Sequence, residues 1–112
     1  MTKYKLEEYT TASGKSPFAD WLFKLKDKLA QAKIRAKLLR ATQGNFGDWK
    51  DIKGVKGLFE MREHYGGGYR VFYTIVDRKI VLLLAGSTKK DQNKTIALAK
   101  EYLDDYKRRN KQ

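Results

Sequence analysis

The amino-acid sequence predicts an α+β domain: a small, mainly antiparallel sheet, two leading helices paired as a hairpin, and one closing helix. Three observations predict this class. An apolar stripe at helical spacing precedes residue 44, three short apolar runs separated by turn residues follow it, and an amphipathic stripe ends the chain. The predicted order is β-α-α-β-β-β-α. With 112 residues and no cysteine, the chain fits a single domain over 1–112 whose core needs no disulfides.

The first half of the sequence predicts one strand and two helices. Residues 3–9 alternate loosely between polar and apolar side chains and predict a strand. Ser16 and Pro17 predict a helix start, because a hydroxyl N-cap is favoured before a proline at the first helical position. A break is expected near Asp27, and a second helix then runs to a stop at Gly44. The predicted apolar faces are Phe18, Trp21, Leu22, Leu25 and Leu29 in the first stripe, and Ala32, Ala36 and Leu39, widened by Ile34 and Leu38, in the second.

The second half predicts three strands and a final helix. Residues 44–57 hold four of the nine glycines and predict a connecting loop. The strands are expected at about 58–65, 69–77 and 79–86. The glycines at 66–68 can supply the positive φ angles of a tight turn. The last run is apolar on both faces, which predicts a central strand covered on both sides. Residues 91–107 predict the closing helix.

The charge of the chain indicates a polyanionic partner. Lysine and arginine total 25 against 13 acidic residues, a formal net charge of +12. Such an excess favours nucleic acid through phosphate neutralisation, although a merely solubilising surface is the plain alternative. No amphipathic helix concentrates these charges, so no membrane partner is expected. The chain begins without a signal-like apolar run, and its longest apolar stretch, 80–85, is too short to span a bilayer. We therefore expect a soluble cytoplasmic protein.

Cations, rather than a metal or a nucleophile, carry the candidate chemistry. With one histidine and no cysteine the sequence predicts no metal site and no cofactor, and it has no GxSxG or Walker A motif. Arg62 and Arg70 stand on either side of the glycine turn, so an antiparallel hairpin can bring them together. The other candidate groups are Lys53 and Lys56 before the first of these strands, and Lys89, Lys90 and Gln92 after the last. If the strands pair in order, these groups can converge into a site that binds phosphate and stabilises charge during phosphoryl transfer.

Single residues in this set have competing interpretations. Arg70 is flanked by Tyr69 and Val71, a setting that predicts a fixed guanidinium with a planar anion partner. Lys53 is equally well explained as a solvated surface charge. His64 can act as a general base or be a plain edge-strand residue. Trp49 can stack on a base or pin the loop by packing.

Three segments resemble the RelE/HigB superfamily of bacterial toxins, and most closely its addiction module killer protein group. They are SPFADWL, GVKGLFEMREHYGGGYRVFY and IVLLLAGSTKKDQNKTIALAKEYLDDY. The resemblance covers residues 4–106 and implies a compact RelE-like fold and a toxin of a type II toxin–antitoxin system. It implies an mRNA interferase that works at the ribosomal A site without a metal: the 2′-hydroxyl attacks the adjacent phosphate, leaving a 2′,3′-cyclic phosphate and a 5′-hydroxyl. It also implies a helix-turn-helix, HigA-like antitoxin, through which alone the complex would bind operator DNA.

The resemblance also implies roles for individual residues. Arg70 matches the arginine that contacts the scissile phosphate, and Arg62 matches the basic residue of the preceding strand. Lys90 matches the charged position after the last strand, a candidate for charge stabilisation or leaving-group protonation, with Lys89 beside it. Gln92 matches the glutamine of the family's KxxQ pattern and is expected to form hydrogen bonds in the site or at the helix start.

The sequence departs from the family at two informative positions. Ile96 stands where the RelE branch has a candidate proton-accepting tyrosine, and Glu60 stands where that branch has a strand lysine. The identity of the proton-transfer groups therefore stays open. Two other functions also stay open: a ParE-like toxin that binds DNA gyrase without nuclease chemistry, and a non-enzymatic nucleic-acid-binding module. The cation set favours the nuclease, because ParE-like toxins generally lack it.

Overall fold

A computed structural model of the chain describes residues 3–111, and it has the α+β architecture that the sequence predicts. The elements are β1 (Lys5–Glu8), α1 (Pro17–Lys24), α2 (Lys28–Ala41), β2 (Trp49–Asp51), β3 (Phe59–Glu63), β4 (Tyr69–Val76), β5 (Ile80–Thr88) and α3 (Gln92–Arg109). The order agrees with the prediction except that β2 lies within the segment expected to be a loop. All three residues of β2 are exposed, so no apolar alternation marks this strand in the sequence.

The five strands form one sheet in the order β1-β5-β4-β3-β2. Only β1 runs parallel to its neighbour, β5, and the other pairs are antiparallel. The prediction that the last strand is covered on both sides is confirmed, because residues 81–85 of β5 are all buried. Its predicted central position is wrong. The middle strand of the five is β4, because the short β2 pairs with β3 and adds a fifth strand at the far edge.

Each face of the sheet packs against helices, and the two faces make two separate cores. One core lies beneath α1 and α2; its buried members are Phe18, Leu22, Ile34, Leu38, Ala41, Met61, Val71, Tyr73, Val81 and Leu83. The other lies beneath α3; its buried members are Tyr9, Ile52, Leu58, Phe72, Leu82, Leu84, Ala85, Ala99 and Leu103. Alternate strand residues face opposite sides and so join different cores, except at a bulge in β5, where the consecutive residues Leu84 and Ala85 both join the core beneath α3.

The predicted helix starts are confirmed. The hydroxyl of Ser16 accepts a hydrogen bond from the backbone N–H of Ala19 at 3.1 Å, and Asp27 caps α2 in the same way. The predicted apolar face of α2 is confirmed for Ile34 and Leu38 and wrong for Ala32, Ala36 and Leu39, which are exposed because the cap at Asp27 starts a new helical phase. Ala30, Ile34, Leu38 and Ala41 face the core, whereas Leu29 and Leu39 are 54% and 68% exposed.

Two contacts fix the helices that border the candidate site. Trp21 of α1 packs its ring directly on Gly86 of β5, where any added Cβ would overlap the ring carbons. Tyr9, just after β1, is buried and donates a hydrogen bond to Asp105 Oδ2 of α3 at 2.6 Å. Burial and the neighbouring Asp105 carboxylate together raise the pKa of Tyr9. In the part of the chain that the structure describes, no helix is long and apolar enough to cross a membrane.

Candidate functional site

The hairpin of β3 and β4 brings Arg62 and Arg70 together, as the sequence predicts. Their Cα atoms are direct partners in the antiparallel register, and Ser87 of β5 is the partner of Arg70 on its other side. The row Arg62–Arg70–Ser87 therefore crosses three adjacent strands. Phe72, two residues beyond Arg70, belongs to the core beneath α3, so strand alternation places this row on the α3 face of the sheet.

A buried carboxylate, which sequence reasoning did not select, connects the two arginines. Glu60 of β3 is 0% exposed. Its Oε2 atom lies 3.1 Å from Arg62 Nε, a hydrogen-bonded ion pair, and 3.6 Å from Arg70 Nε. Its Oε1 atom accepts a hydrogen bond from Gln92 Nε2 at the first residue of α3, at 2.9 Å. One side chain thus links β3, β4 and α3 at the site; we call these four residues the Glu60 cluster.

The shortest contacts of both arginines with Glu60 are made by their Nε atoms. Among residues 3–111 the structure gives no hydrogen bond from an Nη atom of Arg62 or Arg70. None of those Nη atoms is both fully buried and without a partner, so each keeps some exposure to solvent. The planar guanidinium suits two-point contacts with an anion, such as a phosphate, through these terminal nitrogens.

Two buried polar atoms at the site have no hydrogen-bond partner within the described chain. They are Arg70 Nε and Ser87 Oγ, which lie on partner residues of β4 and β5. A buried unsatisfied polar atom costs about 1–3 kcal/mol, and such atoms in native structures call for an explanation. Both lie in the row that crosses the sheet, and Arg70 Nε has the Glu60 carboxylate 3.6 Å away, beyond hydrogen-bond distance.

His64 flanks the row on the side away from Arg70. Its Nε2 atom lies 2.6 Å from Asp48 Oδ2, and the backbone carbonyl of Asp48 accepts a hydrogen bond from the N–H of Arg62 at 2.9 Å. The hydrogen bond with His64, and to a lesser degree the charge of Arg62, lowers the pKa of Asp48. The His64 side chain is 72% exposed. It is thus a solvent-accessible imidazole held by a carboxylate next to Arg62.

Two of the four predicted lysines lie at the arginine end of the sheet. Lys89 and Lys90 are exposed in the turn between β5 and α3, and the backbone N–H of Lys89 bonds to the carbonyl of Gly68 at 3.3 Å. This places Lys89 and its neighbour at the same end of the sheet as Arg62 and Arg70.

The predicted convergence of Lys53 and Lys56 on that end of the sheet is wrong. Both are exposed in the loop between β2 and β3, and Gly57 of the same loop lies against Thr74. Thr74 is four residues, roughly 13 Å, along β4 from Arg70. The loop lies there because β3 begins directly after it, whereas Arg62 is near the end of that strand. Whether these two lysines bind RNA stays a prediction.

Two further features complete the surroundings. Trp49 of β2 is 48% exposed and packs edge-to-face on Phe59, with ring centroids 5.9 Å apart. Its register partner, Met61, faces the core beneath α1 and α2, so Trp49 lies on the opposite face from the arginines.

Within residues 3–111, no three His, Asp or Glu side chains are grouped closely enough to hold a metal ion.

Comparison with known proteins assigns the family. The model of the family described as "Phage derived protein Gp49-like (DUF891)" matches residues 20–105. An uncharacterized protein of Haemophilus influenzae is 45% identical over 83 residues, which cover 74% of this chain and 82% of that protein. Among solved structures, the free Escherichia coli toxin RelE with two arginines replaced by alanine matches with a TM-score of 0.62 and 16% identity, covering 88% of this chain and 95% of that chain. The chain therefore has the RelE fold and belongs to the Gp49-like family, a family of RelE/HigB-like toxins.

Proposed function

We propose that this toxin is a ribosome-dependent mRNA interferase, an endoribonuclease that stops translation by cutting mRNA in the ribosomal A site without a metal ion. The observation that supports it best is the pair Arg62 and Arg70, which are directly opposite in register. Both form ion pairs with Glu60 through Nε, and their side chains are 27% and 10% exposed. Two forked cations side by side suit one phosphodiester, whose charge increases during nucleophilic attack.

The proposed reaction needs only groups that surround this pair. Arg70 and Arg62 bind the non-bridging oxygens of the scissile phosphate. The 2′-oxygen forms a bond to phosphorus as the bond to the 5′-oxygen breaks, which yields a 2′,3′-cyclic phosphate and a 5′-hydroxyl. One proton leaves the 2′-hydroxyl and one reaches the departing 5′-oxygen. His64, held by Asp48, is the candidate acceptor of the first. Lys90, in the turn after β5, is the candidate for stabilising or protonating the leaving oxygen.

The remaining predicted residues would bind the RNA around the cut. Lys89 lies beside Lys90 at the arginine end of the sheet, and Gln92 belongs to the Glu60 cluster. Lys53 and Lys56, in the loop roughly 13 Å along the sheet, would contact a more distant phosphate. The net charge of +12 would promote association with the ribosome and its message through counterion release.

A toxin of this kind implies an antitoxin partner. We propose that this partner is a helix-turn-helix protein of the HigA-like type, and that the toxin reaches operator DNA only within that complex. Since the proposed target is the translating ribosome, the proposed site of action is the cytoplasm.

The experiment is a purified translation reaction in which toxin is added to ribosomes carrying a defined message. Primer extension should reveal new 5′ ends inside the A-site codon in the presence of the wild-type protein. It should reveal none on the same message without ribosomes. DNA breaks dependent on gyrase, with intact message, would instead identify a ParE-like toxin. Binding of nucleic acid without either lesion would identify a non-enzymatic module.

A further inference from the structure

We infer that Glu60 is a positioning residue, whose buried carboxylate aims the terminal nitrogens of Arg62 and Arg70 at the RNA phosphate. The inference rests on the proposed function and adds to it a residue of the opposite charge. An acidic group is unexpected in a phosphate site, because it repels the substrate. Its burial resolves the difficulty: at 0% exposure Glu60 acts on the arginines and does not meet the ligand.

The atoms that make the contacts decide the orientation of the arginines. Both guanidinium groups approach Glu60 Oε2 through Nε, at 3.1 Å for Arg62 and 3.6 Å for Arg70. A guanidinium is rigid and planar, so the hydrogen bond at Arg62 Nε fixes the direction of both of its Nη atoms. Arg70 is oriented by its ion pair with the same carboxylate, without a hydrogen bond. If the carboxylate instead formed a two-point contact with the Nη atoms, these terminal nitrogens would not be available to bind a phosphate.

The carboxylate itself is held on its other side. Gln92 donates a hydrogen bond to Oε1 at 2.9 Å, so the two oxygens of Glu60 have different partners and the group cannot rotate freely. Gln92 is the first residue of α3. The helix thereby sets the angle of the carboxylate, and the carboxylate sets the angle of the arginines.

The charge balance supports the same role. Like charges at directly opposite positions of an antiparallel pair destabilise the sheet, and Arg62 and Arg70 occupy such positions. With Glu60 the three side chains carry a net charge of +1, which matches one phosphodiester. Both Glu60 oxygens are engaged and shielded from solvent, so Glu60 is poorly placed to accept a proton from the 2′-hydroxyl, and its role is exerted through the arginines.

The test compares Glu60→Gln with Glu8→Gln, which makes the same change at an exposed position on β1. The first measurement is NMR exchange of the arginine Nε–H protons, which does not require catalysis. The Arg62 Nε–H should exchange slowly in wild type and in Glu8→Gln, and at least about tenfold faster in Glu60→Gln, since its charged acceptor is gone.

The second measurement separates binding from chemistry. Ribosomes carrying a message with a 2′-O-methyl group at the cut site should bind Glu60→Gln within about threefold of wild type. Single-turnover cutting of the unmodified message should fall on the order of 100-fold, the effect expected of a misplacement near 1 Å. A merely structural role would lower the thermal stability and binding together with the rate.

Several outcomes would overturn the inference. One is a folded Glu60→Gln protein that cuts within threefold of wild type; another is unchanged exchange at Arg62. If Glu60→Gln does not fold, Gln92→Met serves instead, since it removes only the bond to Oε1 at a partly exposed position. It should speed Nε–H exchange and lower the cutting rate by about tenfold, and wild-type values for both would refute the positioning role. Wild-type protein that leaves ribosome-bound message intact would refute the proposed function, a different result from normal cutting by Glu60→Gln.

Discussion

Replacing Arg70 by alanine should remove most of the nuclease activity while leaving the fold in place. The magnitude follows from the position of the side chain, which is only 10% exposed, so its charge is weakly screened. A unit charge about 4 Å from the negative charge that develops on the phosphate contributes about 4 kcal/mol at an effective dielectric constant of ~20. Since each ~1.4 kcal/mol corresponds to a factor of ten in rate, cutting should fall on the order of 1,000-fold.

The same substitution should have a smaller effect on stability. Arg70 Nε is 3.6 Å from Glu60 Oε2 and does not form a hydrogen bond with it. Glu60 keeps its shorter contacts with Arg62 and Gln92 when Arg70 is absent. We therefore expect a loss of about 1–3 kcal/mol in the free energy of unfolding, the range for a weakened buried polar contact.

The assay is single-turnover cutting of ribosome-bound message, with urea unfolding measured in parallel. Arg78→Ala is the matched control, because it removes the same charge from the exposed turn at the opposite end of β4. Arg70→Ala should also abolish growth arrest on expression and still bind the antitoxin. A folded Arg70→Ala protein that cuts within tenfold of wild type would refute the reasoning, as would equal losses in Arg70→Ala and Arg78→Ala.

Three further predictions test the surroundings of the site. Gly86→Ala should lower the free energy of unfolding by about 1–3 kcal/mol in urea, since the new Cβ overlaps the ring of Trp21 and the ring has to shift; unchanged stability would contradict the packing. Because the pKa of Asp48 is lowered in the folded protein, its contact with His64 stabilises the fold above pH ~4 and is lost as the pH falls through the lowered value. Carbon NMR should follow this titration, and His64→Asn should raise the pKa of Asp48; no change would exclude the contact in solution. Chelation with EDTA, at a magnesium level buffered to keep ribosomes intact, should leave the cutting rate unchanged, since arginines supply the charge stabilisation; a strict requirement for an added transition metal would overturn the mechanism.

Local signals in the sequence were sufficient to predict the helix starts and the hairpin that position the site. Ser16 and Asp27 are caps whose side-chain chemistry acts within three residues, and both helices begin where predicted. The glycine turn at 66–68 fixes the register that sets Arg62 opposite Arg70. Each of these features depends on residues close together in the chain, so a single sequence contains the information.

Features that depend on distant parts of the chain were not predicted. Glu60 is surrounded by β4 and by α3, whose Gln92 is 32 residues away, and an acidic residue in a strand ordinarily indicates an exposed face. One signal was present: Glu60 and Arg62 are two residues apart in a strand, which places them on the same face. The position of Lys53 and Lys56 required the pairing of β2 with β3, which no apolar pattern reveals.

The geometry of the sheet also constrains how an RNA strand would lie on the proposed site. Neighbouring strands are about 4.8 Å apart, so Arg62 and Arg70, as register partners, would address the same phosphate rather than successive ones. The loop with Lys53 and Lys56 lies roughly 13 Å along β4, too far for that phosphate. An RNA that contacts both places therefore has to run along β3 and β4 rather than across them. Since α3 and its core cover much of this face beyond Phe72, the RNA would follow the uncovered β2 edge, where His64 and Asp48 meet. The same path that reaches the loop lysines would bring the ribose of the scissile nucleotide past the imidazole.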